Sequence, residues 1–499
     1  MSESRTGQRA DAAAEPTAAS VTDAATDVDR AVRDAAASGL DRASRDDRAR
    51  WLTAIADALE AARDELMAIA REETHLSEAR LNGEVGRTAT QLRFFAGVVR
   101  EGSYLEATLD SPDRSLVPPR PDLRRMLRPL GVVGVFGASN FPFAFSVLGN
   151  DTASALAAGC PVVAKAHPGH PRLSRRTVEV ARDALAAAGG PESAVTLVEG
   201  LDAGVALVTD PLVTAVGFTG STRGGRALFD LAAARPAPIP FYGELGSINP
   251  VVVTRAAATA DVDGIAAGLA GSFTRDGGQY CTKPGLVLVP AGAGFEDALA
   301  GSLAGAAPQR LLTEGIAAAF DRGAGAIAER DDVEVVFRGE ATDAAAPVVI
   351  ATSAVAFAHA HEAFLEEHFG PLTVLVRYDG DDELADALRV LEGSLTASIQ
   401  HAPGEDVGPL AEALGRISGR LVFNGWPTGV AIAWAQHHGG SWPATTASVH
   451  TSVGATAIRR WLTPIAYQDA PAAVLPPELA DGNPLGVPRR EDGVLVAAR

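Results

Sequence analysis

Only two of the 499 residues are cysteine, Cys160 and Cys281, so neither a disulfide framework nor a paired-cysteine zinc site can organise this chain. Basic residues are scarce as well. Against 62 Asp and Glu there are 43 Lys and Arg, and the net charge of -19 argues against nucleic acid as a partner. No apolar run reaches membrane-spanning length, although 47% of residues are hydrophobic, which points to a large buried core divided among two or three domains. Residues 1–22 have neither the basic start nor the apolar stretch of a secretory signal; they read as a disordered tail, and the protein as cytoplasmic. A phosphate loop is absent, and so is any tandem repeat. Gly323-Ala-Gly325-Ala-Ile-Ala328 fits the dinucleotide fingerprint formally, but no strand precedes it, so it reads as chance within an Ala/Gly-rich helix. The pairs His167/His170, His359/His361 and His437/His438 lack further ligands nearby, and no metal is expected.

What is present is a strong alternation. Over residues 28–70 Trp51, Ile55, Leu59, Leu66 and Ile69 recur at helical spacing with Ser44 placed to cap, and a further helix is predicted over 84–101, ending near Gly102. Residues 111–129, with five prolines and five arginines, read as an extended excursion: a solvated basic loop or an edge hairpin used in oligomer contacts. After Leu130, apolar β-rich runs at 132–136, 162–165, 195–198 and 213–218 alternate with helical patterns at 143–158, 174–188, 203–208 and 222–234. That pattern calls for a doubly wound parallel sheet, whose ligands bind at the carboxyl ends of the strands. Beyond Glu244 the alternation resumes at 251–253, 286–289, 348–350, 373–378 and 421–424, predicting a second α/β domain. The proline-rich stretch from Pro464 reads as an extended arm.

Two positions stand out chemically. Cys281 follows Gly278-Gln279-Tyr280 and precedes Thr-Lys-Pro, a tight-turn context in which backbone amides or a cation would lower a thiol pKa of about 8.5; a small buried hydrophobe is an equal reading. Cys160, beside Pro161 at a helix-to-strand turn, suits the buried role. Glu244 ends a strand-like run without a local basic partner, as either solvated charge or a general base. Asn140 closes the first strand and could face a reacting carbonyl or merely cap a helix.

Taken together, Asn140-Phe-Pro, Lys165, Phe218-Thr-Gly-Ser221, Glu244-Leu-Gly, Gly278-Gln-x-Cys281 and Glu366-Glu-x-Phe369-Gly-Pro371 resemble, in order and approximate spacing, the aldehyde dehydrogenase superfamily across nearly the whole chain. The resemblance implies an α/β fold of two doubly wound α/β domains plus a small oligomerisation element. Residues 23–110 and 130–245 would bind cofactor, 111–129 would form the oligomerisation hairpin, 246–450 would be catalytic, and 451–499 would return to the cofactor domain and end in an arm. It also implies roles. Cys281 would attack the aldehyde, with Asn140 and the Cys281 amide stabilising the oxyanion, and Glu244 would activate the water that hydrolyses the thioester. Branches that pass the acyl group to coenzyme A generally lack that glutamate, so an acid product is implied.

For the cofactor, Lys165 would bind the adenosine ribose, Gly220 and Ser221 the pyrophosphate at a helix N-terminus, and Glu367 with Phe369 the nicotinamide ribose. NAD-preferring branches usually carry an acidic residue three positions after that lysine, where this chain has Pro168. With that repulsion gone, and Lys165, His167 or Arg172 nearby, NADP is the expected cofactor and NAD the alternative. The Lys-x-His-Pro block, Phe423-Asn-Gly-Trp-Pro-Thr-Gly429 and Thr451-Ser-Val-Gly further resemble a bacterial branch acting on 2,5-dioxovalerate (α-ketoglutarate semialdehyde) and on fatty aldehydes. Phe145, Arg275 and Trp434 are candidates to meet the substrate, with Arg275 open also to a pair with Asp276 or a surface partner. The expectation is a homodimer or homotetramer oxidising a small semialdehyde, with broad aliphatic aldehyde oxidation or a non-catalytic binding role as rivals.

Overall fold

The computed structural model describes residues 18–497. The tail expected over 1–22 lies outside the described residues up to 17, and the helix Ala18–Ala36 takes in the remainder. Five parallel strands form the first sheet in the spatial order Val195–Val198, Val162–Lys165, Val132–Phe136, Val213–Thr219, Phe241–Glu244. Strand order reverses beside Val132–Phe136, which puts a ligand crevice at the carboxyl ends of the central strands. Side-chain alternation explains why both faces are buried. Val133 and Val135 point into a core with Leu52, Ile55 and Phe95, whereas Val132 and Phe136 join Val28, Val32 and Leu207 on the other side. Ser44 caps the helix Arg45–Ala61 through the Asp47 N–H, and Gly102 ends Glu78–Glu101 in the left-handed region.

The second sheet has seven strands, ordered Glu334–Arg338, Val348–Ser353, Leu372–Tyr378, Leu286–Pro290, Val251–Val253, Ser394–Gln400, Ser418–Phe423. All neighbours are parallel except the Glu334–Arg338 edge. Its two faces again split by alternation, with Val252, Leu286 and Leu288 in one core and Val251, Val253 and Val287 in the other. The two sheets meet where Leu245 N–H donates to Ala444 O at 2.8 Å and Glu244 bridges to Thr445. A third sheet joins Leu462–Gln468, Leu123–Pro129, Thr108–Asp110, Arg489–Glu491 and Val494–Val496. Residues 111–129 thus turn back into a strand that pairs antiparallel with Thr108–Asp110, and the stretch after Pro464 folds onto its own chain.

Two local expectations change. The helix expected over 143–158 runs only from Asn150 to Ala158, because residues 141–148 form turns. A Gly149 Cβ would lie 2.6 Å from Phe145 Cα, so the turns close against a glycine, and the buried Glu84 carboxylate takes the Ala144 N–H at 3.1 Å. Ser394–Gln400 is a fully buried strand that the alternation of apolar runs passes over, since three of its seven residues bear hydroxyls. Ser394, Thr396 and Ser398 are all buried there, Thr396 donating to Asn249 Oδ1 at 3.1 Å.

Candidate active site

Cys281 lies in the loop between the helix Arg255–Phe273 and the strand Leu286–Pro290. The loop is held by residues that only this fold brings together. Gly278 has a φ of 69°, and an added Cβ would press on the Gly370 carbonyl, so the tight approach needs glycine. Asn249 donates its amide to the carbonyls of Cys281 at 2.7 Å and Lys283 at 2.9 Å. Lys283 places its ammonium on the carbonyls of His368, Gly370 and Leu372 at 2.8, 3.0 and 2.9 Å. From the helix Glu78–Glu101, Arg80 reaches Asp276 Oδ2 at 2.5 Å, the Tyr280 hydroxyl, and Asn140 O at 3.0 Å. Asp276 is therefore partnered by Arg80, and its neighbour Arg275 is exposed.

Three of the predicted residues converge. Asn140 is 7% exposed and gives one amide N–H to Gln279 O at 2.9 Å, two residues before the cysteine, which leaves the second N–H for another acceptor. Glu244 ends its strand 5% exposed, and Glu244, Cys281 and His438 set their side-chain ligand atoms within 4.8 Å of one another. His438 is the residue that sequence reasoning passed over. Its Nε2 stands 3.6 Å from Cys281 Sγ and 3.0 Å from Glu244 Oε1, while Ser452 Oγ donates to Glu244 Oε2 at 2.7 Å. Doubled histidines in a Gly-rich loop carry no periodic signal, and nothing short of the fold ties position 438 to position 244.

The electrostatics are those of a poised acid–base set. Burial opposes ionisation of Glu244, yet the His438 charge and the hydrogen bonds from His438 and Ser452 outweigh it and hold the carboxyl below its ordinary value. For Cys281 the balance runs the other way: burial, then the negative charges of Glu244 and Glu367, push the thiol well up, against the lowering expected from its glycine-flanked turn. Cys160 is fully buried, 3.2 Å from Trp461 O, with its thiol pushed up to about 11, as suits a packing residue.

The carboxyl edge of the first sheet fits a dinucleotide. Lys165 is half-buried with no hydrogen-bond partner among the described residues, and desolvation lowers its pKa. Gly220 and Ser221 are exposed; Ser221 caps Thr222–Ala233, whose first turn holds no acidic residue and so favours an anion. Glu367 lies close enough to Gly246 that a Cβ there would come 2.9 Å from Oε2; burial raises its pKa while the Lys283 charge pulls it back. Phe369 is half-buried beside this segment. Two expected cations are not available. His167 accepts the Gly169 N–H on Nδ1 at 3.0 Å, and burial pushes it down to about 3, so the ring is neutral; Arg172 is paired with Glu72 and Glu73. Pro168 is exposed. Of the substrate candidates, Phe145 stacks edge-on to Phe141 at 5.2 Å, and the half-exposed Trp434 meets Phe94 at 6.0 Å.

A thiol with an amide donor, an imidazole and a carboxylate around it, set against an edge that fits a dinucleotide, has the parts to oxidise a carbonyl carbon through a thioester. The sequence pattern of the aldehyde dehydrogenase family matches residues 2–443, and the chain belongs to that family. Alpha-ketoglutaric semialdehyde dehydrogenase 2 of Azospirillum brasilense is 49% identical over 459 residues, covering 89% of this chain and 87% of the relative. Alpha-ketoglutaric semialdehyde dehydrogenase of Acinetobacter baylyi is 40% identical over 458 residues, covering 90% and 87%. Among solved structures, an NAD-dependent aldehyde dehydrogenase from Sinorhizobium meliloti superposes with a TM-score of 0.74 at 25% identity, covering 91% of this chain and 89% of that one.

Proposed function

We propose that the protein oxidises 2,5-dioxovalerate to 2-oxoglutarate, with NADP preferred to NAD. The observation that carries the reaction is the placement of His438 Nε2 between Cys281 Sγ and Glu244 Oε1; the names of the two relatives support the substrate. His438 donates its Nε2–H to Glu244 Oε1, so the Cys281 proton passes to the Glu244 carboxylate, which His438 and Ser452 hold in place. The thiolate attacks the aldehyde carbon, and the oxyanion takes the free Asn140 N–H and the Cys281 backbone N–H, each such donor being worth about 10²–10³ in rate. Lys165, Ser221 and Glu367 would hold the dinucleotide, whose nicotinamide would supply the hydride acceptor. Glu244, having passed its proton to solvent, then deprotonates the water that cleaves the Cys281 thioester, releasing a carboxylate and restoring the thiol. A polar cleft behind Glu244, lined by Thr219, Tyr242, His438, Thr445 and Ser452, supports access of that water.

NADP preference rests on Lys165 alone, because no carboxylate stands at Pro168 while His167 is neutral and Arg172 is paired. The aromatic pairs Phe141/Phe145 and Phe94/Trp434 favour a second reading, a broad-range aliphatic aldehyde dehydrogenase. A panel of kcat/KM values for 2,5-dioxovalerate and hexanal decides: the proposal expects the keto acid to lead, and a lead for hexanal overturns it. The third sheet, whose outer strand leaves Val494 and Leu495 exposed, is the surface proposed for pairing with a second copy. Among the described residues no helix is long and apolar enough to cross a membrane, and a cytoplasmic location is proposed.

A further inference from the structure

Arg87 is a cation without a job in the reaction described so far. It lies one turn from Glu84 on the helix Glu78–Glu101, on the face that also sends Arg80 and Gln91 toward the active-site loops. Its guanidinium sits 5.8 Å above the Phe141 ring and 5.3 Å above Phe145, the two aromatic rings that follow Asn140. Nε and Nη2 are buried and have no hydrogen-bond partner. Buried donors are normally satisfied, and two open ones on one guanidinium are costly unless something arrives to fill them. Its charge and that of Cys281 act on each other, so the guanidinium lies within electrostatic reach of the nucleophile.

Neighbouring charges do not fill the vacancy. Glu84 is committed to the Ala144 N–H and to Arg80, at 3.1 and 3.6 Å. Arg420, the other arginine whose charge reaches Cys281, uses Nη1 and Nη2 on the carbonyls of Gly429 and Pro427 at 2.9 and 2.6 Å. Arg80 is consumed by Asp276, Tyr280 and Asn140. Among the described residues whose charge reaches Cys281, Arg87 is the one guanidinium with two adjacent buried nitrogens unspent, Arg420 leaving only Nε. Two N–H groups on adjacent nitrogens match the two oxygens of a carboxylate.

We propose that Arg87 receives the carboxylate of the substrate itself, so that the enzyme selects aldehydes bearing an anionic group a few carbons from the reacting carbon. This rests on the aldehyde-oxidising reading of the same site and names the residue that sets its substrate class. In the bound state Phe141 and Phe145 keep the guanidinium plane fixed, and the substrate chain spans from Arg87 to Cys281 Sγ.

The test compares wild type, Arg87→Leu and Arg87→Lys on 2,5-dioxovalerate, succinic semialdehyde and hexanal, with thermal melts to confirm folding. Replacing a charge-assisted bidentate contact should lower the ratio of kcat/KM for 2,5-dioxovalerate to that for hexanal by about 10- to 100-fold in Arg87→Leu, chiefly through KM. Arg87→Lys, which keeps the charge and loses the fork, should fall between. If the ratio stays within about twofold of wild type, whether both activities fall together or neither does, Arg87 is structural and the proposal is overturned. The wild-type data separate this from the substrate reading: a lead for succinic semialdehyde that depends on Arg87 supports Arg87 and refutes 2,5-dioxovalerate, whereas a lead for hexanal refutes both.

Discussion

Replacing His438 by Asn removes the nitrogen that stands 3.6 Å from Cys281 Sγ and 3.0 Å from Glu244 Oε1. Two consequences follow from the geometry. Glu244, the acceptor of the Cys281 proton, loses the imidazole that positions it, and since a positioned acid–base group typically contributes about 10²–10⁴ in rate, the first turnover should slow toward that order. Glu244, 5% exposed, keeps only the Ser452 hydrogen bond, and a buried carboxylate losing a charged partner costs about 1–3 kcal/mol. The carboxyl pKa then rises, because the burial that opposes its charge is no longer outweighed. Stopped-flow absorbance at the reduced-cofactor band reads both phases: the burst reports thioester formation and the steady state its hydrolysis. The variant His438→Gln is the control, since its amide can still donate to Glu244. The expected outcome is a burst slowed about 10²-fold or more in the Asn form, with rate and stability recovered in the Gln form. A burst rate within about twofold of wild type in the Asn form would refute the role assigned to His438.

Other outcomes follow from single contacts. Gly278→Ala puts a methyl against the Gly370 carbonyl at φ 69°, so it should cost about 2 kcal/mol or more and lower the melting temperature by several degrees; an unchanged melt contradicts that packing. Without cofactor, alkylation of Cys281 by iodoacetamide should be slow at pH 7 and still rising beyond about pH 8.5, because burial and the two carboxylates hold the thiol well above its ordinary value of about 8.5; a plateau near neutrality would contradict this. Lys165→Met should raise KM for NADP about tenfold more than KM for NAD, and equal effects would remove the basis for NADP preference. Light scattering should give a dimer or tetramer, and a monomer would leave the third sheet without its proposed partner.

Much of this was legible in the chain before the fold was known. The parallel first sheet could be read because Val132–Phe136 and Val162–Lys165 are short apolar runs buried on both faces, and Ser44 and Gly102 punctuate their helices by local chemistry. Cys281, Glu244 and Asn140 were legible as a set through motifs that resemble the aldehyde dehydrogenase superfamily, and the structure brings them together. His438, Asn249, Lys283 and Arg87 were not. Each acts on a partner far away in sequence: His438 lies 194 positions from Glu244 and Lys283 lies 85 from His368. Such pairings follow from how the sheets meet, and no local pattern encodes them. The buried strand Ser394–Gln400 escaped for a related reason, since its hydroxyl-bearing residues break the apolar run and Thr396 finds its partner, Asn249, only in the fold. The lowered thiol pKa expected from glycine-flanked amides reversed because burial of the thiol, and then the carboxylates of Glu244 and Glu367, outweigh them.

The central claim is that Cys281 carries the acyl group and Glu244 releases it to water. Incubating Glu244→Gln with NADP and 2,5-dioxovalerate, quenching in acid and measuring the intact mass tests it directly. The account predicts a covalent adduct equal to the aldehyde less two hydrogens, located on the Cys281 peptide and formed with a single-turnover burst of reduced cofactor. Steady turnover at the wild-type rate with no adduct, or an adduct that persists in Cys281→Ala, would contradict it.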